Sequence, residues 1–289
     1  SYNVAVGTGA LELLNTNSAA YNTAVGYTAG QLMTTSTGNT LIGAYAGDAT
    51  LTGVENTFVG YYSGSSNLAG DRGVALGGHA LSSNTTGSRN IALGHGALQT
   101  NQEGSYSVAI GYSALNAQNP LAPVNMYNVA IGHNAGAAVT TGTQNALVGG
   151  NAGDALTTGY RNAVLGHNAL GTETTGAASV AIGYHALRFQ DTAAYNYNIA
   201  IGAEAGQTIT TGDSNTLIGG LAGDALTTGA RNVAIGLGAL GTEDATGRAV
   251  AIGYAALAAQ NTAYNSYNVA LGLQDGLFNK DIIYSLQTG

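Results

Sequence analysis

The chain has 289 residues, 45 of them glycine, with no cysteine, so neither a disulfide framework nor thiolate chemistry is available. Apolar residues make up 45%, which excludes disorder through low hydrophobicity, and the glycines follow no G-X-Y period, which excludes collagen. A net charge of −8, with seven Lys and Arg in all, leaves no basic footprint for nucleic acid or an anionic membrane, and no apolar run reaches the length of about 18 residues that spans a bilayer.

From Val4-Ala5-Val6-Gly7 onward one phrase recurs, cleanest at Asn128-Val129-Ala130-Ile131-Gly132 and Asn198-Ile199-Ala200-Ile201-Gly202. Its glycine marks sixteen copies between Gly7 and Gly272, and eleven of the fifteen intervals are 17 residues. A short fixed period of this kind predicts an all-β fold, a β-solenoid (β-roll or β-helix) of about sixteen 17-residue coils.

Positions are counted from the marker glycine. Position −1 is Val, Ile or Leu in every copy and −3 is Val, Ile, Thr or Ala; −2 is Ala in eleven copies and Leu, Phe or Val in the rest. Alternate strand residues point to opposite faces, so −3 and −1 share one face and −2 takes the other. Both faces read as apolar, which predicts a strand buried on both sides. A solitary solenoid buries only its inward face. The second face therefore calls for a partner, and the economical partner is another copy of the chain about a symmetry axis: a homotrimer. Larger residues at −2 go with smaller ones at −3, as in Thr40-Leu41, Thr57-Phe58 and Ala146-Leu147, which suggests a strand shifting between two packed layers.

Asn fills −4 in twelve copies, and stacked roughly 4.8 Å apart these side chains would form an amide ladder. After the glycine, +3 is Ala in fourteen copies, and +4 is Leu in eight and Gly in eight. Copies with Gly at +4 often carry an apolar residue at +7 (Val139, Leu156, Ile209, Leu226), which would refill the core. A Thr-Thr-Gly turn comes next, as at Thr140-Thr141-Gly142, its glycine supplying a positive φ. Each coil thus reads as two short strands and two turns, in a rod of about 75 Å.

The coils led by Gly132 to Gly183 and by Gly202 to Gly253 form two similar blocks of four. Longer intervals enlarge the coils at 11–21, 116–127, 188–197 and 257–267, which hold both prolines, Pro120 and Pro123, and many tyrosines. Aromatic loops on a rigid scaffold are where binding residues tend to sit. Tyr127, Arg188, Phe189, Tyr195, Tyr197, Tyr264 and Tyr267 are therefore the candidate ligand-binding residues; wrapping a neighbouring chain is their structural alternative. Residues 1–274 read as one repetitive shaft, and 275–289, where the pattern stops, as a cap or the entry to a following domain. Because Ser1-Tyr2-Asn3 stands in the same phase as Ser266-Tyr267-Asn268, the chain is expected to be a piece of a longer protein.

Ser107-Val108-Ala109-Ile110-Gly111 and Ser179-Val180-Ala181-Ile182-Gly183 resemble the head repeats of trimeric autotransporter adhesins. Asn162-Ala163-Val164-Leu165-Gly166-His167-Asn168-Ala169-Leu170 with Thr174-Thr175-Gly176 is similar to the shaft repeats of phage tail fibres and bacterial surface fibres that end in an endosialidase-type chaperone. The likeness covers about residues 1 to 275, with a longer period than the adhesin heads show. It implies a trimeric extracellular fibre, on a virion tail or a bacterial surface, used for attachment to a cell-surface glycan or receptor. The alternative is a glycan-binding or glycan-cleaving spike with its sites on the enlarged coils.

Other chemistry finds little support. The histidines sit just after a marker glycine (His95, His133 and His167 at +1, His79 and His185 at +2), where a three-fold axis would have to gather them into a metal site. Asp48, Asp154, Asp224, Glu173 and Glu243 recur in turns without the spacing of a calcium loop, and read as solvated turn acids. The acids are spread through the repeat rather than paired, and adjacent threonines do not build a flat Thr-x-Thr face. The expectation is no enzyme, no catalytic residue, no metal and no cofactor; the partners expected are further copies of the chain and a surface glycan, with no nucleic acid and no membrane insertion.

Overall fold

The computed structural model describes residues 2–15, 20–192, 195–242, 244–245, 247–259 and 267–274, which form strands and turns with no helix among them. The chain divides into two compact units, Ser1–Gln144 and Asn145–Gly289, and each is a parallel β-solenoid. The first holds β1 (Val4–Val6), β2 (Thr23–Val25), β3 (Thr40–Ile42), β4 (Thr57–Val59), β5 (Val74–Leu76), β6 (Ile91–Leu93), β7 (Gly104–Ser105), β8 (Val108–Ile110), β9 (Val124–Asn125) and β10 (Val129–Ile131). The second holds β11 (Ala146–Val148), β12 (Ala163–Leu165), β13 (Val180–Ile182), β14 (Ile199–Ile201), β15 (Thr216–Ile218), β16 (Val233–Ile235), β17 (Val250–Ile252) and β18 (Val269–Leu271). Within each unit the three-residue strands stack in chain order, parallel and in register: Thr40 beside Thr57, Leu41 beside Phe58, Ile42 beside Val59.

Each three-residue strand occupies −3 to −1, and its middle residue is buried in every case but β1. Ala130, Leu147 and Ala200 are fully enclosed. The flanking residues are not buried anywhere, so within one chain the strand is covered on a single face.

The second strand is absent from most coils. The marker glycine leads instead into a tight turn in which +2 and +4 adopt left-handed backbone, and among the described residues only β7 with β9, and an isolated bridge between Ala177 and Tyr195, pair on another side. Leu81, Leu98, Leu115, Leu170, Leu187 and Leu240 at +4 have φ between 48° and 57°. That conformation costs a non-glycine residue roughly 1–2 kcal/mol. Burial of the leucine offsets it by about 2 kcal/mol, since all six are at most 1% exposed.

The size of the −2 residue is matched inside the coil by the residue at +4. Where −2 is Leu or Phe, +4 is glycine: a Cβ on Gly64 would strike the ring of Phe58, and one on Gly153 would lie 3.0 Å from Leu147 Cδ2. Where −2 is Ala, a leucine at +4 or an apolar residue at +7 (Met33, Val139, Ile209) fills the same volume. The +7 residues Leu156 and Leu226 are fully buried as well, packed in coils whose −2 residue is already leucine.

Glycine is obligatory at the marker for a different reason. Its φ is +133° to +148° in β2–β17 coils such as Gly60 (138°) and Gly166 (148°), and a Cβ there would overlap the carbonyl of the next coil's marker. The glycine of the Thr-Thr-Gly turn, by contrast, does not take a positive φ. A Cβ on Gly159 would run into the carbonyl of Gly176 and the side chain of Leu156, so close approach selects it. The left-handed residue of this turn comes two later, at Gln144, Arg161, Ser214 and Arg231.

The −4 asparagines are buried, but their ladder runs mainly through the backbone. The Asn39 Oδ1 accepts the Asn56 backbone N–H at 2.9 Å, while Asn39 Nδ2 donates to the Gly53 carbonyl at 3.0 Å. Each side chain thereby satisfies two backbone groups of the coil above, which the enclosed interior requires. Amide-to-amide bonds are the longer supplement, 3.2 Å from Asn39 Nδ2 to Asn22 Oδ1.

Two coils carry Ser at −4, and a glutamine at +7 reaches across to complete the rung. Gln118 Oε1 accepts from Ser107 Oγ and from Asn128 Nδ2; Gln190 Nε2 donates to Ser179 Oγ, and Asn198 Nδ2 donates to Gln190 Oε1. Beside Gln190 lies Glu173, which is fully buried rather than a solvated turn acid. Its Oε1 accepts the Gly176 N–H at 2.6 Å and its Oε2 accepts amides from Gln190 and Asn196, both at 2.9 Å.

Candidate functional site

The outward face of the strands is the first surface of note. It is built by −3 and −1 from Val, Ile, Leu, Thr and Ala, with no charged residue in any described strand of either unit. Leu76 and Leu165 are each 50% exposed, and Ile131, Ile201 and Ile252 between 36% and 37%. A soluble single-chain solenoid would be expected to place polar side chains there.

A second column stands at −5, where left-handed backbone turns the side chain outward. Here Tyr2 stacks on Tyr21 with centroids 5.3 Å apart, and Arg72 pairs with Glu55 at 2.7 Å. Arg89 lies over Tyr106, whose ring meets Tyr127 at 5.3 Å. In the second unit Arg248 lies over Tyr267, and its guanidinium donates to that hydroxyl.

Three of the seven sequence-predicted residues stand on this column. Tyr127, Tyr197 and Tyr267 occupy it in three enlarged coils, and all three are exposed. Tyr195 stacks on Tyr197 at 5.4 Å and meets Tyr160 edge-on at 5.5 Å, with Arg161 over Tyr160. Arg188 and Phe189 pair with one another, the guanidinium 4.9 Å from the ring centroid. Tyr264 lies outside the described residues. The structure thus brings Tyr195 and Tyr197 together and gives Tyr127, Tyr267 and the Arg188–Phe189 pair separate surroundings.

A third column was not legible as a unit. At +1 and +2 of the first unit the rings run in unbroken contact from Tyr27 to His133. Tyr45, Tyr62 and His79 at +2 form one stack, with planes within 8° and centroids 4.4 and 5.5 Å apart. Tyr61 at +1 stands at 79° to Tyr45, 86° to Tyr62 and 90° to His79, and Tyr27 stands at 78° to Tyr45. The signal in the sequence is the aromatic or His residue directly after the glycine, visible only once coils are aligned.

Among the titratable groups, Asp48, Asp154 and Asp224 have their carboxyls held above the usual range by partial burial, against opposing backbone hydrogen bonds. Asp48 Oδ1 is enclosed without a hydrogen-bond partner. His185, lodged between the side-chain amides of Asn168 and Gln207, is pushed below its ordinary value by burial and then by Arg188. Among the described residues no three His, Asp or Glu side chains converge as metal ligands, and no helix is long and apolar enough to cross a membrane. Comparison with protein-family models, with curated proteins and with solved structures finds no match to this chain.

Proposed function

We propose that the chain is a structural and adhesive segment of an extracellular homotrimeric fibre, the shaft of a phage tail fibre or a cell-surface adhesin that supports attachment. The observation that carries this is the outward strand face, uncharged in every described coil, mostly Val, Ile and Leu, and left open in the single chain. Burial of such a stripe is worth about 25 cal/mol per Å², and parallel copies about a common axis would cover it in each unit. The three-chain arrangement and the attachment role rest on the likeness of the repeat phrases to fibre shafts and adhesin heads. Sedimentation equilibrium tests it: the wild-type chain should run as a trimer. Ile201→Lys, which puts a charge on the stripe and leaves the enclosed Ala200 in place, should dissociate it. A stable folded wild-type monomer refutes the proposal.

The Tyr160–Tyr195–Tyr197 cluster with Arg161 favours a second reading, a glycan-binding spike that uses the enlarged coils. Binding to a glycan array that vanishes in Tyr195→Ala and Tyr197→Ala would support it.

A further inference from the structure

Over five successive coils of the first unit, position +1 alternates between a ring and a small residue: Tyr27, Ala44, Tyr61, Gly78, His95. Tyr27, Tyr61 and His95 are exposed, the two tyrosines to 52% and 54%. They do not join the +2 stack. Tyr61 and Tyr27 stand close to perpendicular to it, and His95 stands at 68° to His79. The Tyr45–Tyr62–His79 stack is therefore a buttress, and the +1 rings stand across it with only the small residues Ala44 and Gly78 between them, the His95 ring reaching over Gly78. Rings on alternate coils are two strand spacings apart, roughly 10 Å. That is the length of a disaccharide unit in an extended sugar chain, so alternate sugars could each lie on one ring.

The polar chemistry agrees. The Tyr27 hydroxyl and the His95 ring nitrogens make no hydrogen bond within the described chain, so they are free to meet sugar hydroxyls. No residue at +1 or +2 of these coils is a formal cation. A polyanion such as single-stranded nucleic acid needs a basic groove beside its stacking rings, and none lies here.

We propose that Tyr27, Tyr61 and His95 are the platforms of a binding face for an extended, neutral oligosaccharide, with alternate sugar rings on successive platforms. The face lies on the turn and is independent of the strand stripe, so it does not rest on the trimer. The test uses the intact chain against a panel of linear neutral hexose oligomers of two to seven sugars, with sialylated and sulfated oligomers alongside, read by glycan array and then by calorimetry.

Affinity for a neutral oligomer should rise at least tenfold between two and five sugars, as a second platform is reached. Tyr61→Ala should weaken the longer oligomers at least tenfold, and Tyr61→Phe, which keeps the ring, should stay within about threefold, consistent with stacking as the main contact. Circular dichroism on Tyr61→Ala confirms that the coil is intact, and sedimentation of the same samples reads assembly separately. The inference is overturned by binding confined to the charged oligomers, by binding that Tyr61→Ala leaves unchanged while Tyr195→Ala abolishes it, or by no binding to any neutral oligomer.

Discussion

Gln190→Met isolates the energetics of the substituted rung. The side chain is fully buried, and methionine conserves its length while removing every polar atom. Three hydrogen bonds go: Nε2 to Glu173 Oε2 at 2.9 Å, Nε2 to Ser179 Oγ at 3.0 Å, and Oε1 from Asn198 Nδ2 at 2.7 Å. Two are neutral, at about 1 kcal/mol each, and the one to a carboxyl is worth about 2. Two of the groups left behind keep other partners, which limits further loss, while the buried Ser179 Oγ loses the one it has. Glu173 Oε2 keeps Asn196, and Asn198 Nδ2 keeps the Gly212 carbonyl at 2.7 Å. The expected destabilisation is about 4 kcal/mol.

Urea titration followed by circular dichroism measures it, with Gln102→Met as the exposed control. Because solenoids open locally, native-state amide exchange supplies a second readout. The Val180 N–H, bonded to the Asn198 carbonyl at 2.8 Å, should lose protection in the variant. A loss under about 1 kcal/mol, with Val180 still protected, would refute the claim that Gln190 stands in for a missing asparagine.

Gly60→Ala should prevent normal stacking of its coil, since the new Cβ would sit 2.6 Å from the Gly77 carbonyl oxygen at a φ of 138°; thermal unfolding should show a drop larger than any leucine truncation produces. Leu147→Ala should cost about 2–5 kcal/mol as a core cavity. Adding Gly153→Leu should recover only part of it, because Leu156 already fills some of the volume that Leu98 takes beside Ala92; a double variant no better than the single would refute the shared-volume account. For Asp154 the folded carboxyl titrates above its unfolded value, so its ionisation opposes folding as pH rises through that raised range. Asp154→Asn should therefore raise the melting temperature at pH 7 and lose the advantage at pH 3, where both states are protonated.

Periodicity alone determined the solenoid, because a 17-residue repeat with an invariant glycine and a β-branched triplet admits few other architectures. It also separated the Ala position from the two that flank it, and pointed to the refilled core at Val139 and Leu156 and to the stacked asparagine row. The division of each strand into two faces was legible from alternation, but which of them the same chain encloses was not, since apolar composition does not say where the neighbouring side chains of that chain stand. Tertiary structure alone decided the rest. The left-handed turns at −5, +2 and +4 are occupied by Leu, Tyr and Arg, where local preference calls for glycine, because packing against adjacent coils overrides it. Glu173 and Gln190 look like surface residues in the sequence and are enclosed by contacts 17 residues away. The aromatic column from Tyr27 to His133 exists only because stacking brings residues from separate coils to within one ring's width.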